Sequence, residues 1–280
     1  MATNINFNKS LGVVKNSIVI KPAGGLDPDA QAFITATGIT NATQISAINQ
    51  LVVSLKGASL WSKILALYPF VGGTAFAHKF NLKNPLDTDA AFRIVFSGGW
   101  VHSSNGIQMN GTNTFGDTKL APITHLADPT NIHIGYYSRT NGVGGADFGA
   151  ALNGTFTRGT WLMPRYTDNK LYTSVYGTTS VINATSYNPS TGFLMIRRNN
   201  LTNVVTSQNG TNTTLTQNFL GYSGSTLTFG AINLFASGTR TLYSNRQLAF
   251  GTIGLGLTDT DAANYNTIVQ TFQTTLGRNV

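Results

Sequence analysis

The chain has 280 residues and a formal net charge of +8, and it is 41% hydrophobic but only 10% charged. It contains no Cys, which excludes disulfides and thiolate metal sites. The basic residues are scattered and form no run typical of nucleic-acid binding, so we predict no nucleic-acid partner. No segment approaches the ~20 apolar residues that cross a bilayer, so we predict no membrane insertion.

The first residues, MATNINFNKSLGVV, lack the long apolar stretch of a secretory signal. We therefore expect synthesis in a cytoplasm and, if the protein works outside the cell, release by a route such as lysis of a host. Residues 1–26 are polar and show no core-forming period, which predicts an extended arm that is held by a partner.

Segment 27–68 is predicted to be helical. Asp27 and Pro28 suit a helix start, and the first helix would end at Gly38. A second helix is predicted from a cap at Thr40 to Gly57, followed by a short helical turn over Ser59–Leu67. Because each of these segments has an apolar side, we expect them to pack on the rest of the chain or on a neighbouring subunit.

After about residue 69 the period of the apolar residues changes to that of strands. Hairpin turns are predicted at Asn110-Gly111 and Asn209-Gly210. Thr258 and Asp261 have the spacing of a capping box and predict a C-terminal helix. The predicted strands are Phe92–Phe96, Ile107–Met109, Thr112–Phe115, Ile132–Tyr136, Trp161–Tyr166, Leu171–Tyr176, Phe193–Arg197, Val204–Ser207, Leu227–Phe235 and Gln247–Ile253. Many short strands separated by turns predict a β-sandwich or barrel over 69–280.

Several runs resemble parts of concanavalin A-like and laminin-G-like jelly rolls: AFRIVFSGGWVHSSNGIQMNGTNTFGDT, NVVTSQNG, LTFGAIN and RQLAFGTIGLGLTDTDAANYNTIVQTF. Two others, LWSKILALYPFVGGTAFAHKFNLKNPLD and FQTTLGRNV, resemble structural proteins of tailed bacteriophages and their prophage relatives. The resemblance implies a mainly β fold, an antiparallel jelly-roll β-sandwich with N-terminal helices and a C-terminal helix. Members of the jelly-roll family bind glycans in many cases, catalyse reactions in a few, and act as scaffolds in others.

The acidic residues argue against an enzyme. Hydrolases of this jelly-roll family place two Glu around an Asp on one strand, whereas all ten acidic residues of this chain are Asp. The pairs Asp87/Asp89 and Asp259/Asp261 are interpreted as caps of a loop and of a helix. We predict that the protein is not an enzyme.

No cofactor is predicted. The four His residues, at positions 78, 102, 125 and 133, lack the spacing of metal ligands. A Ca²⁺ site of the kind common in laminin-G-like domains stays open as an alternative, through Asp117 or Asp147.

Glycan recognition needs an aromatic platform and planar polar partners. The candidate glycan or partner contacts are Trp100, Tyr137, Arg139, Trp161, Tyr166 and Asp168, together with Arg197 and Arg198 at a predicted polar tip. Since successive strand residues alternate between faces, about half of these side chains are expected to lie in the core.

Two hypotheses follow from the sequence and its resemblance. The first is a virion structural protein of a tailed bacteriophage, a head decoration, fibre or tail component, which docks to other virion proteins through its arm and helices. Such a protein would be a homo-oligomer, a trimer by analogy with fibres. The alternative is a carbohydrate-binding adhesin or lectin module that contacts glycans of the host cell surface.

Overall fold

The computed structural model describes residues 25–177, 181–186 and 188–280. The predicted arm, residues 1–26, lies outside this part of the chain except for its last two positions. Three longer helices are α1 (Pro28–Thr37), α2 (Ala42–Gly57) and α5 (Asp259–Thr275), and two single-turn helices are α3 (Ala75–His78) and α4 (Pro122–His125). Two short 3₁₀ helices cover Trp61–Lys63 and Asp89–Ala91. None of the helices in the described ranges has the length and apolar character needed to cross a membrane.

The remainder is mainly β. The strands are β1 (Ile64–Tyr68), β2 (Val95–Ser97), β3 (Val101–Ser103), β4 (Gly106–Gln108), β5 (Phe115–Asp117), β6 (Ile132–Ser138), β7 (Phe148–Ala151), β8 (Gly159–Met163), β9 (Lys170–Gly177), β10 (Val181–Ser186), β11 (Gly192–Arg198), β12 (Asn203–Gln208), β13 (Thr211–Thr216), β14 (Thr228–Phe229), β15 (Ile232–Leu234), β16 (Arg240–Thr241) and β17 (Gln247–Gly254).

These strands form two sheets that pack as a sandwich. The first has the order β13-β12-β11-β6-β17-β4-β3, and β1 also pairs with β17. The second has the order β10-β9-β8-β7-β14-β5-β2, and β15 lies parallel to β7 with β16 beside it. Nearly all pairings are antiparallel, so the prediction of an antiparallel β-sandwich with flanking helices is confirmed at this level.

Alternation along the strands divides the apolar side chains among three clusters. One fills the space between the sheets and includes Ile134 of β6 and Phe148 of β7. Residues on the other face of the first sheet, such as Tyr137 and Phe250, pack against α1, α2 and α5. The predicted helical segment therefore buries its apolar side on the β-sandwich of its own chain. A third, smaller cluster lies on the outer face of the second sheet.

Helix boundaries largely follow the sequence signals. Asp27 caps α1, whose C-terminal Gly38 has a φ of 68°. The Thr258/Asp261 capping box is present at the start of α5. The cap of α2 is Asn41 rather than the predicted Thr40, because the Asn41 side chain accepts the hydrogen bond from Gln44 N.

Some local predictions were wrong in part or in full. The helical turn predicted over Ser59–Leu67 is confirmed for Trp61–Lys63, which form a 3₁₀ helix, but from Ile64 the chain continues as β1, which pairs with β17. The Asn110-Gly111 hairpin is absent from the described structure, because β4 and β5 belong to different sheets. The Asn110 side chain instead accepts hydrogen bonds from the backbone of Thr112 and Asn113 and shapes a crossover loop. The Asn209-Gly210 hairpin joins β12 and β13 as predicted.

Candidate aromatic binding cleft

The outer face of the second sheet carries a cleft of about 250 Å³. Its lining is aromatic and aliphatic and consists of Phe156, Trp161, Met163, Tyr166, Tyr172 and Leu242. The cleft lies over β8 and β9, where Met163 and Tyr172 are cross-strand partners. Leu162 points the other way, into the core between the sheets. Because successive side chains of β8 point to opposite faces of the sheet, Trp161 and Met163 lie together on its outer face.

Two glycines make room for the indole of Trp161. Gly149 of β7 lies opposite Trp161, and a Cβ at position 149 would be 2.3 Å from the Trp161 Cβ. A Cβ at position 159 would be 2.5 Å from the indole Cδ1. Both distances are too short for any side chain, so the indole fits against the sheet because these positions are Gly. Trp161 is only 2% exposed and forms the floor of the cleft.

Two tyrosines form one wall of the cleft. The rings of Tyr166 and Tyr172 meet edge to face, with centroids 5.2 Å apart and an interplanar angle of 66°. Tyr166 is 42% exposed, whereas Tyr172 is half-buried. An edge-to-face pair of this kind is a favourable aromatic arrangement and holds both rings in defined orientations. The exposed ring of Tyr166 is the part of the wall that a bound molecule would meet first.

A polar group stands beside this wall. The Tyr172 hydroxyl donates to Asp168 Oδ2 at 3.0 Å, and the Lys170 backbone N–H donates to Asp168 Oδ1 at 3.1 Å. Desolvation raises the pKa of the Asp168 carboxyl, but these two hydrogen bonds, together with the charge of Lys170, whose Nζ lies 3.7 Å from Oδ2, lower the pKa overall. The pKa of Tyr172 is raised by desolvation and by its hydrogen bond to Asp168. Asp168 is therefore an ionised acceptor on the rim of the cleft.

The arrangement suits binding rather than acid–base chemistry. The lining side chains are apolar or phenolic, and none is a carboxylate or an imidazole. A pyranose ring has an apolar face that stacks on aromatic rings and hydroxyls that donate to carboxylates. The volume is below the about 300–1,000 Å³ of pockets that enclose drug-sized ligands, which fits a shallow site for one sugar ring.

Three of the residues predicted from sequence meet here: Trp161, Tyr166 and Asp168. The sequence analysis missed Phe156, Met163, Tyr172 and Leu242. Tyr172 could have been found from the alternation in Leu171–Tyr176, since it faces away from the core residue Leu171. Leu242 comes from the segment between β16 and β17, and no local pattern relates it to β8.

The structure places Tyr137, Arg197 and Arg198 in the interior. The Tyr137 hydroxyl accepts a hydrogen bond from Val280 N at 3.0 Å. Arg197 pairs with Asp259, and Arg198 donates to the backbone carbonyl of Val175 at 2.7 Å. All three side chains are at most 1% exposed, so the prediction that they contact a glycan or a partner was wrong.

Arg139 and Trp100 lie apart from the cleft lining. Arg139 donates to the Arg278 carbonyl at 2.9 Å and to Gln247 Oε1 at 2.8 Å. The Trp100 indole donates to the Ser97 carbonyl at 2.9 Å and is partly exposed. Arg139 thus tethers the C-terminal segment, and Trp100 stabilises the connection between β2 and β3.

The residues considered for a Ca²⁺ site have cationic partners. Asp147 is fully buried and pairs with Arg246 at 3.0 Å, and Asp117 pairs with Lys119 at 3.1 Å. Within the described ranges, no group of three or more His, Asp or Glu residues could hold a metal ion. The donor set at Asp147 therefore does not fit Ca²⁺, because an Arg guanidinium occupies the position next to the carboxylate.

Two of the histidines form a pair. His78 Nδ1 and His102 Nδ1 lie 3.0 Å apart, so one ring donates to the other. Burial lowers the pKa of His78 to about 3 and also lowers the pKa of His102. Both rings are thus neutral near pH 7, and the pair joins α3 to β3.

No protein-family model and no curated protein matches the chain. Solved structures with a similar arrangement include the binding domain of botulinum neurotoxin DC in complex with rat synaptotagmin II, with 13% identity and a TM-score of 0.45 over 74% of this chain and 52% of that chain. The botulinum neurotoxin serotype G binding domain has 10% identity and a TM-score of 0.45, over 74% and 51% of the two chains. This chain spans about half the length of these structures. At such values we draw no conclusion about family, activity or partners from the similarity.

Proposed function

We propose that this chain is a virion structural protein of a tailed bacteriophage whose β-sandwich, a concanavalin A-like jelly roll, binds carbohydrate at the aromatic cleft without catalysing a reaction. The observation that carries carbohydrate binding is the cleft itself. A buried indole forms its floor, an exposed Tyr166 ring forms its wall, and the ionised Asp168 stands on its rim. The virion part of the proposal rests on the sequence resemblance.

Binding would combine stacking and hydrogen bonding. The apolar face of a pyranose ring would lie against the exposed ring of Tyr166, above the floor formed by Trp161, and a sugar hydroxyl would donate to Asp168. The absence of Glu from the sequence, and of any carboxylate among the residues that line this cleft, supports a role without hydrolysis.

A saccharide array tests the binding function. Labelled full-length protein is applied to an array of bacterial surface polysaccharides and defined glucan, chitin and mannan oligosaccharides. We expect saturable binding to at least one saccharide that free saccharide abolishes. The variants Tyr166→Ala and Asp168→Asn should lose this binding, whereas Phe76→Ala should keep it, because Phe76 is 54% exposed and lies outside the cleft lining.

Two results would reject the binding function. The first is the absence of binding across the array at millimolar saccharide. The second is binding that the Tyr166→Ala and Asp168→Asn variants retain at wild-type affinity, since the saccharide would then occupy another surface.

The virion role has a separate test. We propose that the arm, residues 1–26, attaches the protein to other virion proteins, because the apolar faces of α1, α2 and α5 are already covered by the sandwich. Removing residues 1–25 should abolish incorporation into phage particles but leave saccharide binding intact. Incorporation of the truncated protein at the wild-type level would place the attachment elsewhere.

A further inference from the structure

The floor of the cleft contains an unpaired hydrogen-bond donor. Trp161 is 2% exposed, and its Nε1–H is buried without an acceptor among the described residues. An indole nitrogen can only donate, and a buried Trp normally finds an acceptor for it. Leaving a buried donor unpaired costs free energy, so an arrangement that supplies an acceptor would be favoured.

The segment that covers this donor is the connection between β7 and β8, residues 152–158, which we term the Phe156 loop. The Phe156 ring stands edge-on against the indole of Trp161, with centroids 5.8 Å apart. Position 159, which follows the loop, lies at the pyrrole edge, where an added Cβ would be 2.6 Å from Nε1. The same Cβ would be 2.9 Å from the Phe156 carbonyl, so the start of β8 and the backbone of the Phe156 loop border the edge of the indole that carries the unpaired N–H.

The backbone of the Phe156 loop is strained. Phe156 has a φ of 59° and Arg158 a φ of 50°, in the left-handed region that bulky residues avoid. The loop is partly exposed. Leu152 N donates to the Thr157 carbonyl at 3.0 Å within the loop, and Arg158 N donates to the Gly177 carbonyl of β9 at 2.7 Å. The Phe156 loop thus combines a strained backbone and solvent exposure with a position next to a buried unpaired donor.

We propose that the Phe156 loop is a displaceable cover, and that a saccharide in the cleft displaces the Phe156 ring and accepts a hydrogen bond from Trp161 Nε1. This inference rests on the proposed carbohydrate binding and names its specificity element. The preferred ligand is a pyranoside with a hydroxyl at the edge of the ring that stacks on the indole. A deoxy analogue without that hydroxyl would leave the donor unpaired and bind more weakly.

The cover is tested first without any saccharide. The protein is labelled with 5-fluorotryptophan, and the fluorine signal of Trp161 is identified by its loss in Trp161→Phe. The solvent isotope shift of this signal between H₂O and D₂O reports exposure of the indole. We expect Phe156→Ala to increase the shift at Trp161 about twofold or more and the matched Phe76→Ala to leave it unchanged, in line with burial of the donor by the loop. An unchanged shift in Phe156→Ala overturns the cover.

The second arm uses the saccharide that binds best on the array. Its addition to the wild-type protein should move the Trp161 signal. Phe156→Ala should bind it about three- to tenfold more tightly, because no ring has to be displaced. Replacing Trp161 with 3-benzothienylalanine, which keeps the bicyclic shape but lacks the N–H, should weaken binding about tenfold. If Phe156→Ala binds the saccharide more weakly, Phe156 is a fixed part of the binding surface. If the benzothienyl protein binds as tightly as the wild type, Trp161 Nε1 donates no hydrogen bond to the saccharide. Either result overturns the proposal.

The two proposals fail in distinguishable ways. A negative array rejects the carbohydrate function and the displacement step, while the fluorine measurement still decides whether the Phe156 loop covers Trp161. A positive array with an unmoved Trp161 signal keeps the carbohydrate function and rejects the displaceable cover.

Discussion

Gly149 lies directly opposite Trp161 across β7 and β8, and a Cβ at position 149 would be 2.3 Å from the Trp161 Cβ. The floor of the cleft thus depends on a residue without a side chain on the neighbouring strand. In a sheet, directly opposed side chains normally share the space between them. Here Trp161 takes the whole of that space, which lets its indole lie along the surface of the sheet.

Gly149→Ala should therefore destabilise the protein. The added methyl would force Trp161 or the β7 backbone to shift, at a cost of about 1–3 kcal/mol in the free energy of unfolding. Urea denaturation measures the change. Gly154→Ala is the matched control, because a Cβ at position 154 meets no atom within 4 Å. The control should change the free energy of unfolding by at most about 0.5 kcal/mol. Equal effects of the two substitutions would contradict the proposed packing of Trp161.

Substitution of Tyr166 in the wall of the cleft should weaken saccharide binding while hardly changing the stability of the protein. Tyr166 is 42% exposed, so Tyr166→Ala should alter the urea midpoint only slightly. If the ring stacks on saccharide, its loss should weaken binding by about 2 kcal/mol, which is roughly 30-fold. Tyr172→Phe should weaken binding less, because it keeps the ring and removes only the hydroxyl that donates to Asp168. Isothermal titration with the saccharide from the array measures both variants, and a larger loss for Tyr172→Phe would contradict this order.

Local signals in the sequence predicted the parts of the fold that depend on neighbours in the chain. The capping box of α5 and the turn at Asn209-Gly210 each involve residues within a few positions of one another. The hairpin predicted at Asn110-Gly111 is absent, although its two residues are of the same types as Asn209-Gly210. There the Asn110 side chain binds backbone N–H groups and the chain crosses to the other sheet, which depends on strand pairings distant in sequence.

In the candidate site, too, the sequence predicted the residues that are neighbours in the chain and missed the contacts between distant segments. Trp161, Tyr166 and Asp168 come from one hairpin, so their proximity could be read from the sequence. Arg197 and Arg198 were placed at the surface because charged residues are usually exposed, but both are buried by partners far along the chain. The contact of Arg198 with Val175 depends on how the two sheets pack, which local periodicity does not contain.

The buried ion pair of Asp147 and Arg246 should be essential for stability. Both side chains are fully buried and lie 3.0 Å apart, so Asp147→Ala would leave an unpaired buried cation. Removing one partner of a buried pair costs about 3–5 kcal/mol. Asp89→Ala is the control, because Asp89 is 57% exposed in its pair with Arg93 and should matter by at most about 1 kcal/mol. Urea denaturation compares them, and a small effect of Asp147→Ala would show that the site rearranges or admits water.

His133 predicts how stability depends on pH. The ring is fully buried; its Nδ1 lies 2.6 Å from the Leu255 carbonyl and its Nε2 lies 3.1 Å from Thr252 Oγ1. Tyr265 in turn donates to Thr252 at 2.7 Å, so the Thr252 hydroxyl is free to donate to Nε2. This network fits a neutral ring with the proton on Nδ1. Desolvation lowers the pKa of His133 from 6.5 to about 4.

Because the folded state keeps His133 neutral while the unfolded chain takes up a proton below pH 6.5, the free energy of unfolding should fall as the pH drops from 6.5 to about 4. The full loss from this residue is about 3 kcal/mol and is complete once the pH passes the folded-state pKa. Urea denaturation at intervals between pH 7.5 and 4 measures the slope. In His133→Asn the protein should be less stable at pH 7 and the slope shallower, with a remaining slope from His78, whose pKa burial lowers to about 3, and from His102, whose pKa burial also lowers. A slope identical to that of the wild type would show that His133 does not titrate differently in the folded and unfolded states.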